Sequence, residues 1–239
     1  MIPDDETAQE VAKATKAVAD ASGKLVDAAK DLGGFIARFI AAPLEQGAGI
    51  YVDKLKYLRW ERQLRLMRKA EEMIAELGFG APRRPLPLKV AIPLFQGASL
   101  EDDDALQDRW VNLLLNAAYG ESNLEVRRAY VEILGQIDPL EAQVLDKIYA
   151  LLFEQARHTG VVTSSLPDQV EVATQENRES PEPSDAVCAA LANLERLGCV
   201  ALGTSWGGGE YFVVVNPTRL GRDFVAACKQ PASGTARAM

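Results

Sequence analysis

Histidine, cysteine and aromatic side chains are all scarce in this chain. Its 239 residues include one histidine, His158, and three cysteines at positions 188, 199 and 228. One histidine cannot build a His-based metal cluster, and the cysteine spacing is not that of a zinc site or a disulfide framework. We therefore expect reduced, mostly buried thiols and a cytoplasmic location, without metal or other cofactor. No G-x-S-x-G or similar nucleophile motif is present, so no catalytic residue is predicted.

Long apolar runs are also missing. No stretch of about 18 uninterrupted apolar residues occurs, so no membrane-spanning helix is predicted. The first ten residues, MIPDDETAQE, are acidic and polar and do not resemble a secretory signal. The glycines at 207–209 lack the following Lys-Ser/Thr of a phosphate-binding loop, and a strand rather than a helix comes next.

With aromatics at 7% and hydrophobic residues at 48%, the core must rest on Leu, Ile, Val and Ala. This composition suits helix packing. The predicted fold is mainly α: an N-terminal long helical hairpin, a central helical bundle and a C-terminal winged-helix-like α+β module. We expect the corresponding regions to be 1–85, 86–136 and 137–230, with a polar loop over 159–184 and a disordered tail over 231–239.

The N-terminal helix is expected over about 6–41. Its apolar seam advances by alternating steps of four and three residues, as in a heptad pattern. The seam members are Val11, Thr15, Val18, Ser22, Leu25, Ala29, Leu32, Ile36 and Phe39. Such a helix needs a partner, which would be the helix expected over 50–77, a second copy or another protein. The apolar 35–44 segment could instead lie on an anionic membrane surface.

A stripe of positive charge marks the second helix. Residues 51–89 carry ten Lys/Arg against five Asp/Glu, although the whole chain has a net charge of −8. The densest part, which we call the basic stripe, is Lys54, Lys56, Arg59, Arg62, Arg65, Arg68 and Lys69. It could bind nucleic-acid phosphates or anionic lipid headgroups. The alternative is a solvated helix face partly paired with Glu61, Glu71 and Glu72.

An acidic run follows at 101–104, with Asp108 beyond it. Clustered carboxylates could hold a hard cation such as Mg²⁺ or Ca²⁺. The more frequent role is the charged start of a helix, and we expect Ser99 to be its N-cap. Further helices are expected over 123–135, capped by Ser122, and from Asp138-Pro139 onward.

The C-terminal region has the order of a winged helix. A helix over 186–197, strands over 199–203 and 210–216 and a last helix over 219–229 are expected. The first of these helices carries one basic residue, Arg196, against Asp185 and Glu195. DNA reading requires more positive charge, so a protein contact or a structural role is the better interpretation.

The stretch PLKVAIPLFQGASLEDDDALQDRWVNLLLNAA, together with IDPLEAQVLDKIY, resembles the bacterial abortive-infection alpha family. The resemblance is strongest over about 57–156 and extends more weakly into the C-terminal module, with Gln96-Gly97 as a departure from the family pattern. The signature residues are Ser99, Leu100, Glu101, Asp102, Asp103, Leu106 and Trp110. The resemblance implies a role in anti-phage defence but supplies no catalytic residues and no small-molecule substrate.

Three functions follow as hypotheses. The first is a non-enzymatic defence effector or sensor that associates through the 6–41 helix, in the cytoplasm or peripherally on the inner membrane face. The second is a nucleic-acid-binding regulator that uses the basic stripe. The third is an enzyme with a site at the acidic run, for which alanine at Asp103 and Asp104 would abolish activity without unfolding.

Overall fold

The computed structural model describes residues 27, 30–39, 60–120, 125–204 and 207–232. Helices dominate, and one small four-stranded antiparallel sheet completes the described part of the chain. Residues 30–39 are helical and are called α1. The later helices are α2 (Trp60–Glu76), α3 (Leu88–Leu100), α4 (Asp104–Tyr119), α5 (Arg128–Leu134), α6 (Pro139–Ile148), α7 (Phe153–Thr159), α8 (Asp185–Arg196) and α9 (Arg219–Ala227). The strands are β1 (Val161–Val162), β2 (Glu171–Val172), β3 (Val200–Thr204) and β4 (Glu210–Pro217).

Helix α1 packs into the core of its own chain. The last three seam members, Leu32, Ile36 and Phe39, are all buried there, and Phe35 is buried beside them. The Phe35 ring lies edge-on to Phe95, with centroids 6.4 Å apart. These contacts bury apolar area, which is the main stabilising term for such an amphipathic helix. Residue 27 is also helical, and the rest of the predicted 6–41 helix lies outside the described residues, as does the connection to the helix expected over 50–77.

The central helices follow the sequence pattern, with two corrections. Pro93 does not end α3, which continues to Leu100 and therefore contains Ser99. The predicted cap at Ser99 is consequently wrong. The helix expected over 123–135 begins at Arg128, after Arg127, which provides no side-chain cap. Ser122, its expected cap, lies outside the described residues.

The capping prediction at Asp138 is confirmed. Its carboxylate accepts from the Glu141 N–H at 2.8 Å, while the Glu141 carboxylate accepts from the Asp138 N–H at 2.8 Å. Pro139 occupies the first turn of α6. This reciprocal arrangement satisfies two N–H groups that would otherwise lack a helical acceptor.

The predicted helix over 186–197 and the strands over 199–203 and 210–216 are confirmed to within one residue as α8, β3 and β4. The segment 159–184, expected as a polar loop, contributes the short strands β1 and β2. The sheet order is β2-β1-β4-β3, so β4 lies between β1 and β3. Gly160, with φ of +84°, precedes β1 where a Cβ would meet Val214 Cγ1 at 2.4 Å.

Tyr149 connects α6 to the sheet and to α9. Its hydroxyl accepts from the Thr218 N–H at 2.9 Å and donates to the Cys199 carbonyl at 2.5 Å. Burial raises the pKa of this hydroxyl above its ordinary value. Gly221 is required here, because a Cβ would lie 2.1 Å from the Tyr149 hydroxyl oxygen. The Thr218 Oγ1 caps α9 by accepting from the Gly221 N–H at 3.0 Å.

One apolar cluster extends from Leu32 in α1 to Cys228 after α9. It includes buried residues of the central helices and of the C-terminal region alike. The side chain of Asn116 in α4 joins the two by donating to the carbonyls of Ala227 and Lys229 at 2.9 and 2.7 Å. The functional surfaces are therefore presented by helices that share one core.

Candidate functional site

The basic stripe and the acidic run lie against each other, on the facing surfaces of α2 and α4. Arg62 Nη2 is 3.2 Å from Asp102 Oδ2, and Arg62 Nη1 donates to the Leu100 carbonyl at 3.1 Å. Arg65 pairs with Asp104, and Lys69 pairs with Asp108. The basic residues and their acidic partners therefore occur in the same order along the sequence. The two candidate sites of the sequence are thus one layer of ion pairs, which we call the α2–α4 ion-pair layer.

Helical periodicity explains this layer. Arg62, Arg65 and Lys69 are spaced by three and four residues, so they share one face of α2. Asp104 and Asp108 share a face of α4 for the same reason. The buried residues Leu66 and Ala70 on α2 and Leu106 and Trp110 on α4 belong to the common core that holds the two helices together.

Asp103, rather than Ser99, caps α4. Its carboxylate accepts from the Leu106 N–H at 2.9 Å. The Glu101 carboxylate accepts from the N–H groups of Asp102 and Asp103, both at 3.0 Å. Ser99 is fully buried within α3 and donates its hydroxyl to the Gln96 carbonyl at 2.7 Å. The acidic run therefore starts a helix and pairs with cations, in agreement with the structural interpretation of its sequence.

The remaining signature residues have packing roles, with one exception. Leu106 and Trp110 are buried, and Trp110 fills the space beside Gly97. A Cβ at Gly97 would lie 2.4 Å from Trp110 Cη2. Leu100, in contrast, is 59% exposed at the end of α3. Gly97 thus permits the close approach of α3 and α4 at this tryptophan.

Not every cation of the stripe is paired. Arg68 is exposed and makes no ion pair with the residues that the structure describes. Lys54, Lys56 and Arg59 lie outside the described part of the chain. The sequence interpretation expected Glu61, Glu71 and Glu72 as partners, but Glu71 pairs with Arg38 of α1 at 2.7 Å. The acidic partners of the stripe are 39 or 40 residues away, and no local signal identifies them.

The thiols are held in their neutral form. Burial raises the pKa of Cys199 and of Cys228 to about 12, with the nearby Glu141 charge adding to the effect at Cys199. Burial also raises the pKa of Cys188. A thiolate is the reactive species, so raised pKa values disfavour nucleophilic chemistry at these positions. His158 is exposed, and its Nε2 accepts from the Arg157 Nε–H at 3.0 Å.

The described residues contain no group of three or more His, Cys, Asp or Glu side chains arranged to hold a metal ion. None of the described helices combines the length and the apolar character that crossing a membrane requires.

Fold and site together define a mainly helical protein built around an ion-paired signature helix. A model of the family described as abortive infection alpha matches residues 61–228, which is more than half of the chain. The chain belongs to this family. Comparison with curated proteins finds no match, and comparison with solved structures finds none either.

Proposed function

We propose that this protein acts in abortive infection as a non-enzymatic effector or sensor that works through association of helices. The family match over 61–228 supports the defence role. The non-enzymatic part is supported by the structural roles of the acidic run and of the buried thiols. The acidic run caps α4 and pairs with α2, and two of the three thiols lie buried in the core.

The packing of α1 carries the association proposal. Leu32, Ile36 and Phe39 fix the end of the heptad seam to the chain's own core. The rest of the seam, over 11–29, repeats the same spacing, and we propose it as the surface that meets a second copy or a protein partner. Burial of Phe35, Ile36 and Phe39 in the core argues against the alternative in which 35–44 lies on a membrane.

The C-terminal module fits a role in protein contact. We propose that 137–230 is winged-helix-like and serves as a platform for a partner. Its helix α8 offers Arg196, whose guanidinium already donates to Asn193 Oδ1 at 2.7 Å and Gln136 Oε1 at 3.1 Å. A DNA-reading helix needs free basic and polar groups, so these contacts favour a protein partner.

Light scattering of the full chain after size exclusion tests the association. We expect an assembly larger than a monomer, which Val18→Asp/Leu25→Asp disperses because charge enters the apolar seam. Lys24→Asp, on another face of the same predicted helix, is the matched control and should keep the assembly. In infected cells, the seam variant should lose protection against phage, whereas Lys24→Asp should keep it. A monomeric wild-type chain that still protects, without a captured partner, would contradict the proposal.

A second candidate is binding of lipid or nucleic acid by the part of the stripe that does not belong to the α2–α4 ion-pair layer. The exposure of Arg68 favours it, and Lys54, Lys56 and Arg59 extend the positive charge in sequence. Co-sedimentation with phosphatidylglycerol vesicles and gel shifts with DNA and RNA at physiological salt test it. Binding that Arg59→Glu/Arg68→Glu removes would support this candidate.

The ion-pair layer supplies the control for that experiment. Arg65→Glu removes a cation that pairs with Asp104, and Arg65→Glu/Asp104→Lys restores the pair with reversed signs. If the stripe binds through its residues outside the ion-pair layer, both variants should bind as wild type does. Absence of binding to vesicles, DNA and RNA would exclude the second candidate and leave association through helices.

A further inference from the structure

A cleft of about 440 Å³ lies between the loop before α3, the first turn of α3 and the segment leading into α5. Four basic residues line it: Arg84, Lys89, Arg127 and Arg128. Among the lining residues that the structure describes, Glu125 is the one acidic side chain, and the others are apolar apart from backbone groups. A chain of net charge −8 thus concentrates positive charge around a concave surface that neither the stripe nor the signature includes.

The cations of this cleft differ in how firmly they are held. Arg84 is fixed, because its Nη2 donates to the Gly120 carbonyl at 2.9 Å and its backbone N–H donates to the Ala118 carbonyl at 3.1 Å. Arg128 pairs with Glu132 at 2.8 Å. Lys89 and Arg127 are exposed and make no ion pair within the described residues. A ligand would therefore meet one positioned guanidinium and two cations that form no ion pair with the described part of the chain.

The backbone adds to the positive potential. Helix α3 has 13 residues, Pro87 as its N-cap, no side-chain cap and no acidic residue in its first turn. Pro87, Lys89 and Val90 line the cleft, so the positive end of the helix dipole lies at its wall. Acidic residues at this position would have neutralised the helix end, as Asp103 and Asp104 do at α4.

We infer that this cleft is a binding site for a small phosphate-bearing molecule. Guanidinium and ammonium groups recognise phosphate oxygens by charge-assisted hydrogen bonds. The volume lies within the range of small-ligand sites, and the apolar floor formed by Leu86, Val90 and Val126 would contact a compact non-polar portion. The described lining residues include no aromatic side chain, so we expect recognition to rest on the phosphate rather than on stacking with a base.

Calorimetric titration of the full chain with inorganic phosphate, pyrophosphate and AMP, at physiological salt, tests the site. We expect binding that Lys89→Ala/Arg127→Ala weakens about tenfold or more, because two charge-assisted contacts are lost. Both side chains are exposed, so the thermal unfolding midpoint should stay near that of wild type. Arg219→Ala/Lys229→Ala removes the same charge from exposed positions outside the cleft and should leave the affinity unchanged.

The source of the phosphate is resolved by a parallel titration with phosphatidylglycerol vesicles. Binding of vesicles but not of the soluble compounds, with the same dependence on Lys89 and Arg127, would assign the site to a lipid headgroup. Equal weakening by both double variants would show attraction to overall charge and would overturn the inference. The inference would also be overturned if neither the soluble phosphate compounds nor the vesicles bind at millimolar concentration.

Discussion

Asp103 sets the start of the signature helix. Its carboxylate accepts the Leu106 N–H, and Glu101 holds the two residues before α4 by accepting their N–H groups. Of the four residues in the acidic run, only Asp103 therefore acts as the side-chain cap of α4. Asp102 and Asp104 are turned towards the cations of α2.

Replacing this cap should destabilise the protein measurably. For Asp103→Ala we expect the free energy of unfolding to fall by about 1 kcal/mol, because the first turn of α4 loses its acceptor. Urea denaturation measures the change. Ser99→Ala is the comparison, since the hydroxyl of Ser99 bonds only within its own helix. A larger loss for Ser99→Ala than for Asp103→Ala would contradict the assignment of the cap.

Adding a single methyl group at Gly97 should destabilise the folded protein. Gly97→Ala places a methyl group against the buried ring of Trp110, and we expect the free energy of unfolding to fall by about 1–3 kcal/mol from overpacking. The shorter ring of Trp110→Phe should relieve the clash. A double-mutant cycle measures the coupling. The same cost of Gly97→Ala beside Phe as beside Trp would show that the indole ring is not the obstacle.

At the scale of elements, the pairing of α2 with α4 decides how the charges of this protein are used. Three cations of the stripe meet carboxylates of the acidic run, so the two features partly cancel each other's fields. These pairs are largely exposed, and such pairs typically contribute only about 0–1 kcal/mol each. Their main consequence is therefore for partner binding: attraction of an anion to α2 depends on the cations that remain unpaired.

Glu141 connects α6 to α8. Its carboxylate accepts from Asn193 Nδ2 at 2.6 Å as well as from the Asp138 N–H. Burial raises the pKa of Glu141 above its ordinary value, and the Asp138 charge adds to this, while the two hydrogen bonds oppose it. The folded protein consequently binds this proton more tightly than the unfolded chain does. The stabilisation is present below the unfolded-state pKa and is lost as the pH rises through the folded-state pKa.

Glu141→Gln removes that titration. We expect the free energy of unfolding of wild type, relative to the variant, to decrease as the pH rises from about 4 to about 7. Denaturant titrations of both proteins across this range measure the difference, in which the contributions of carboxylates that do not interact with Glu141 cancel. If the difference in the free energy of unfolding between the two proteins does not change with pH, burial does not raise the pKa of Glu141.

At the scale of the whole molecule, one core joins the central helices to the C-terminal region. The side chain of Asn116 lies more than 110 residues from the carbonyls that it reaches. Asn112, one turn earlier, donates to the Cys228 carbonyl at 3.0 Å. These bonds satisfy carbonyls at the end of α9 that have no partner within the helix.

Asn116→Ala should weaken the whole described fold rather than α9 alone. We expect a loss of about 2 kcal/mol, because two carbonyls lose their donor. Far-ultraviolet circular dichroism and tryptophan fluorescence should report the same single transition. Asn112→Ala, which removes one bond, should cost less. Two separate transitions, with only one of them shifted, would contradict a shared core.

Local patterns were good guides to single elements. The reciprocal cap at Asp138 and Glu141, the strands β3 and β4 and the end of α2 before Gly78 all depend on residues close in sequence. The prediction of a cap at Ser99 was wrong because the choice between Ser99 and Asp103 depends on where α3 ends. Helix α3 contains Pro93 and continues to Leu100, so Ser99 lies inside α3 and does not precede α4 directly.

The sequence by itself determined the helical class, the family and the presence of two oppositely charged segments, because composition, motif and helical period are local properties. Only the tertiary structure decided that three cations of the basic segment pair with the acidic one and that Leu32, Ile36 and Phe39 are buried inside the chain. It also brought Arg84 and Arg127, 43 residues apart in sequence, to one cleft. Such pairings depend on which helix faces meet when the core closes, and no short-range pattern records that choice.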